Sequence, residues 1–132
     1  MIINATARLT EAEYDIAEAA YNKILEEGFT EELQEMACHS PEVAWRLAAN
    51  IPGADIAYCQ KAACGDPIYA VMFARDVKGA DIAYCQKYAC SDDYMTYLFA
   101  SRIVGADIEY CEAHMGEYLE SYLKEKMKDA LR

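Results

Sequence analysis

The sequence predicts an all-α fold: a right-handed, α-solenoid-like stack of short helical hairpins with distinct capping helices at its two ends. Three observations predict it. Residues 53–64 read GADIAYCQKAAC, residues 79–90 read GADIAYCQKYAC, and a third copy begins at Gly105 as GADIEYCEAH. The stretches between these blocks repeat in step with them. Apolar residues make up 55% of the 132-residue chain against 27% charged, a balance that favours a folded core over disorder.

The period is 26 residues, the step from Gly53 to Gly79 and again to Gly105. Cys38 stands one period before Cys64 and Cys90, and Ala37 before Ala63 and Ala89. Between the blocks, Ser40-Pro41, Asp66-Pro67 and Asp92-Asp93 are equivalent, as are Leu47, Phe73 and Phe99. A fixed period over this length is the signature of stacked supersecondary units.

Each period reads as two helices. Ser40, Asp66 and Asp92 suit an N-cap, and Pro41 and Pro67 suit a first helical residue whose missing N–H costs nothing. Apolar residues at 44, 47, 48 and 51 then line one helical face. Gly53, Gly79 and Gly105 read as C′ residues that end this helix in a left-handed conformation. Asp55, Asp81 and Asp107 open the second helix, whose inner face carries Ile56, Cys59 and Ala63. The expected helices lie near 41–51, 55–64, 67–77, 81–90, 92–103 and 107–115.

The ends differ. Thr10-Glu11-Ala12-Glu13 reads as a capping box that starts a helix running to about residue 27, with Gly28 ending it and Thr30 starting the next. From Glu117 to Leu131 another helix is expected, with Tyr118, Leu119, Tyr122, Leu123 and Met127 along one stripe. A repeat stack needs such caps because its end faces are otherwise apolar and wet. The expected organisation is one domain over 1–132: an N-terminal cap at 1–38, repeats at 39–114 and a C-terminal cap helix at 115–132.

Charge bounds the function. The chain has 23 acidic and 12 basic side chains, a net −11. That sign argues against direct binding to nucleic acid or an anionic membrane, both of which need Lys and Arg. It favours a basic protein surface as partner, such as that of a nucleic-acid-binding protein. Nothing in the sequence reads as a membrane span or a secretory signal, so the expected location is the cytoplasm.

The six cysteines, 38, 59, 64, 85, 90 and 111, alternate spacings of 21 and 5. Two cysteines five apart on a helix point about 140° away from each other. Equivalent cysteines in neighbouring repeats are expected roughly 8–10 Å apart, a helix packing distance and too far for a disulfide. They read as packing residues, with no metal and no cofactor expected. His39 and His114 lie too far apart in a stack to act jointly, and no nucleophile elbow, phosphate loop or dinucleotide fingerprint is present. The sequence therefore predicts no catalytic residues and no enzyme.

Two candidate binding features remain. Glu11, Glu13, Asp15, Glu18, Glu31, Glu32 and Glu35 concentrate acid near the N-terminus, and Asp55, Asp81 and Asp107 extend it along the repeats. Tyr58, Tyr84 and Tyr110 occupy one repeat position and should form a column on one surface.

The string Asp66-Pro67-Ile68-Tyr69-Ala70 through Phe73-Ala74-Arg75-Asp76-Val77-Lys78-Gly79-Ala80-Asp81-Ile82 resembles the short α-helical repeat proteins of bacteriophage and prophage genomes. The resemblance is best over 38–114, and the third copy departs from it at Asp93, Ser101 and Arg102. It implies a helical-repeat architecture acting in a bacterial host cell. Together with the acidity, it suggests an anti-CRISPR-like inhibitor that occupies the nucleic-acid-binding surface of a defence complex. The alternative is a scaffold or adaptor that docks a protein through its Tyr-rich face.

Overall fold

The computed structural model describes residues 2–132, with side-chain surroundings from Glu11 onward. Among the described residues there are nine α-helices and one 3-10 turn, and no strand. They are α1 (Ile2–Glu27), α2 (Glu31–Ala37), α3 (Pro41–Asn50), α4 (Ile56–Ala63), α5 (Pro67–Asp76), α6 (Ile82–Ala89), α7 (Asp93–Arg102), α8 (Ile108–Glu112) and α9 (Leu119–Ala130). The 3-10 turn is Gly116–Tyr118. Helices pair as α1/α2, α3/α4, α5/α6 and α7/α8, and the hairpins stack. The first helices α1, α3, α5 and α7 touch in sequence, and α9 closes that row against α7.

The caps follow from local chemistry. Ser40, Asp66 and Asp92 are extended N-caps whose side chains accept the N–H of Val43, Ile68 and Met95. Pro41 and Pro67 occupy the first turn. Asp55, Asp81 and Asp107 cap the second helices, accepting the N–H of Tyr58, Tyr84 and Tyr110 at 3.1 Å. Thr30 caps α2 in the same way.

Three expectations need correction. Helix α1 begins at Ile2, so Thr10 lies inside it and does not start it. The segment before Thr10 contains neither Gly nor Pro, so nothing stops the helix there. Second, Gly53, Gly79 and Gly105 are not C′ residues. The first helices end at Ile51, Val77 and Ile103 in extended conformation. Each glycine is the third residue of the turn that follows, closed by Ala54 N–H to Ile51 O at 3.3 Å and its equivalents. Their φ of +91° to +93° explains the residue type, and no neighbour crowds Gly79 or Gly105. Third, α8 stops at Glu112 and α9 starts only at Leu119. Gly116, at φ +55°, breaks the helix between them. A Cβ there would collide with the Asp93 carboxylate. The aspartate that replaces the repeat proline thus seats the C-terminal cap.

The core runs the length of the stack. Leu47, Phe73 and Phe99 are fully buried in successive first helices, and Tyr21 holds the same place in α1 one period earlier. Ala37, Ala63 and Ala89 are fully buried in or at the second helices, and the equivalent Met115 fills the larger space at the end. Beyond it Tyr94, Tyr97, Tyr118 and Tyr122 pack ring to ring at 5.3–6.3 Å. Tyr122 is buried, while Leu123 and Met127 of the expected stripe are exposed.

Candidate protein-binding surface

The second helices carry an internal ladder that fixes their outer face. Gln34, Gln60 and Gln86 are buried. The side-chain carbonyl of each accepts the backbone N–H of the cap one repeat on: Asp55 at 2.7 Å, Asp81 at 2.7 Å and Asp107 at 2.8 Å. The same oxygens lie 3.7–3.8 Å from the thiols of Cys59, Cys85 and Cys111. A buried amide must be satisfied, and this one is satisfied by the next repeat. The series ends at Glu112, which takes the glutamine's place and meets Lys126 of α9 at 3.6 Å.

The ladder locks each cap in register, so the residues around it recur on one surface. Tyr58 and Tyr110 are exposed and Tyr84 is half-buried. Tyr84 packs on Tyr88 with ring centroids 4.9 Å apart. In the next repeat the partner is His114, stacked on Tyr110 at 4.2 Å. Ala62 holds that place beside Tyr58, which leaves its ring more open.

Of the sequence-selected acids, Glu31, Glu35 and Asp55 meet Tyr58, Phe29, Gln34 and Gly53 around one open depression of about 470 Å³. Partial burial, then the charge of Glu35, holds the Tyr58 phenol above its ordinary pKa. Glu32 is exposed on α2 nearby in sequence, and Glu11, Glu13 and Asp15 are exposed on α1. Glu18 differs from the rest, since it forms an ion pair with Arg46 of α3. That guanidinium also lies 4.9 Å over the Tyr21 ring, so Glu18 joins α1 to α3. Asp81 and Asp107 lie outside the depression. They are exposed but commit one carboxylate oxygen each to a cap.

The column changes sign along its length. Glu35 on α2 is followed at equivalent positions by Lys61 and Lys87, and Lys87 lies 5.6 Å from the Tyr88 ring centre. The acidic character is therefore strongest at the α1/α2 end. Residues 11–35 hold nine Asp and Glu against Lys23 alone, and Lys23 itself meets Glu27 at 3.8 Å.

The sequence reading missed the glutamines and the contacts between cysteines 21 residues apart. Two such pairs meet, with Cys38–Cys59 sulfurs 3.8 Å apart and Cys64–Cys85 sulfurs 3.9 Å apart. All six are free thiols. Among the described residues no group of three or more His, Cys, Asp or Glu is arranged to hold a metal ion, and no helix is long and apolar enough to cross a membrane.

No family model, curated protein or solved structure matches this chain.

Proposed function

We propose that this chain is a non-enzymatic protein-binding module that sets its acidic α1/α2 end against a basic, nucleic-acid-binding protein surface. In the most specific form of this reading it is a phage-type inhibitor of a CRISPR effector or similar bacterial defence complex, acting in the cytoplasm. The convergence of Glu31, Glu35 and Asp55 beside Tyr58 supports the reading, because it offers clustered carboxylates next to an aromatic ring on a fixed frame. Clustered acid speeds association with a basic partner and makes it sensitive to salt.

The test uses acids that the fold does not need. Asp55, Asp81 and Asp107 are helix caps, so reversing them would damage the fold. Glu13, Glu32 and Glu35 are exposed and, apart from the dipole, stand free of such duties. Tagged protein is used to capture partners from nuclease-treated bacterial lysate carrying a panel of CRISPR effectors, with elution on a salt gradient. A basic complex should elute at moderate salt, and the triple Glu→Lys variant should lose at least tenfold in affinity with unchanged melting temperature. Unchanged affinity would overturn the acidic reading.

A second reading has its own observation, the recurrent ring at Tyr58, Tyr84 and Tyr110, exposed at the first and last and half-buried at the middle one. It describes a scaffold or adaptor that docks a partner through the aromatic column. In the same experiment its sign is a partner retained through high salt and lost with Tyr84→Ala.

A further inference from the structure

The 21-residue spacing of the cysteines becomes meaningful only when the hairpins are stacked. Cys38, Cys64 and Cys90 follow the ends of α2, α4 and α6, and Cys59, Cys85 and Cys111 sit inside α4, α6 and α8. In the first two pairs the end-of-helix thiol meets the mid-helix thiol of the next repeat. The sulfurs are 3.8 Å apart in the first pair and 3.9 Å in the second. Cys90 and Cys111 occupy the same two repeat positions one period further on, and both are buried. The inner members are fully buried, and the outer members are the more open ones. Cys38 borders a depression of about 350 Å³ with Tyr58, Lys61 and Ala62.

We propose that Cys38–Cys59, Cys64–Cys85 and Cys90–Cys111 are oxidation sites, which hydrogen peroxide closes into three disulfides that staple successive repeats. The outer thiolate attacks the peroxide and becomes a sulfenic acid, releasing hydroxide that takes up a proton to form water. The inner sulfur then attacks the sulfenic sulfur. The S–S bond forms, the S–O bond breaks, and the inner thiol proton leaves with the hydroxyl as a second water. Each pair loses two hydrogens in all, and one peroxide is reduced to two waters.

Three features of the site support this chemistry. Two sulfurs already in van der Waals contact need only small side-chain rotations to bond. The outer thiol is primed in two of the pairs, while the Cys59 contact and then burial hold Cys38 of the first pair above its ordinary pKa. Cys111 first, and then Thr96 and the charge of His114, bring Cys90 down to about 7 against the effect of burial. Cys85 lowers Cys64 in the same way. Finally, the ladder tolerates the product. When the inner S–H is lost, Gln34, Gln60 and Gln86 each keep the much shorter bond from an aspartate N–H, so no buried group is left without a partner. A metal-bound pair of thiolates would instead set two negative charges beside that carbonyl oxygen.

The test is made on the reduced full-length chain, treated with one equivalent of hydrogen peroxide per thiol pair. Intact mass and a non-reducing peptide map are read alongside thermal melting. The expected result is a loss of two hydrogens per pair, with cross-links only at 38–59, 64–85 and 90–111. The melting temperature should rise by on the order of 10 °C per bridge and fall back with dithiothreitol. Cys90→Ser should lose two hydrogens fewer and leave the other two bridges in place. Bridges at 59–64 or 85–90, bridges between molecules, or sulfinic and sulfonic products alone would overturn the proposal. Should the variant fail to fold, the peptide map of the unaltered chain decides. The outcome is independent of the binding reading, because no partner enters it.

Discussion

The first helices and the second helices hold the same repeats together by different means. Along α3, α5 and α7, Leu47, Phe73 and Phe99 fill the layer with apolar bulk, each fully buried. Along α2, α4 and α6, the buried positions are small or polar: Ala37, Ala63 and Ala89, the cysteines, and Gln34, Gln60 and Gln86. Apolar burial is non-directional and supplies most of the stacking free energy. A hydrogen bond has a fixed direction and length, and it loses its value if a repeat slips. The comparison teaches that one layer supplies the stability and the other sets the register, which is what keeps the Tyr and Asp positions in column.

Breaking each layer in turn tests this division. Phe73→Ala should have the largest effect, about 3–5 kcal/mol from lost transfer and cavity formation. That is a large share of the roughly 5–15 kcal/mol available to a domain. Denaturant unfolding would measure it, and hydrogen exchange should accelerate throughout the molecule. Gln60→Met keeps the length of the side chain but leaves the Asp81 N–H without its acceptor. Its expected cost is smaller, about 1–3 kcal/mol. Exchange should accelerate mainly at the start of α6, where the cap is held. A global effect as large as that of Phe73→Ala would mean that the ladder is also a main source of stability.

How much of this was readable from the sequence depends on whether an interaction is local. The helices, the Ser and Asp caps and the proline positions were legible, because capping involves residues only two or three apart. The buried Phe and Leu series was legible from its period. The turn glycines were seen but misplaced, since a helix C′ and the third position of a turn both select positive φ. Gln34, Gln60 and Gln86 repeat as plainly as the cysteines, yet a lone Gln on a helix reads as solvated surface. Only its partner 21 residues on makes it core, and that partner belongs to another hairpin. The cysteine pairs were hidden for the same reason: comparing equivalent residues tests a separation of one full period, whereas the contact joins the end of one helix to the middle of the next. The acids of α1 and α2 were legible as a cluster, but the sequence could not show that Glu18 is paired with Arg46 or that the Asp55 series is already employed as caps.

The smallest expected effect concerns a polar link between the first helices α3 and α5. The Trp45 indole N–H on α3 donates to Asp76 on α5 at 3.0 Å. Arg75 donates to the same carboxylate at 2.6 and 2.8 Å, and this contact first, with Trp45 adding to it, holds Asp76 below the ordinary aspartate pKa. Unlike the glutamine ladder, this link is open to water, with the Arg75 side chain 44% exposed. It should therefore contribute at most about 1 kcal/mol. The sign follows from the lowered folded-state pKa: the contribution is fully present above the unfolded pKa, near 3.8, and fades as the pH falls through the lower folded value. Asp76→Asn should thus be slightly less stable than the parent at pH 7, and the gap should begin to narrow as the pH falls below about 3.8 and close once it passes the lower folded value. Trp45 is the single tryptophan, so its fluorescence reports the link directly during unfolding. A gap that persists unchanged at low pH would show that Asp76 acts by packing or through its neutral hydrogen bond. A gap as large as that of Gln60→Met would mean that an exposed polar link can set register as well as a buried one.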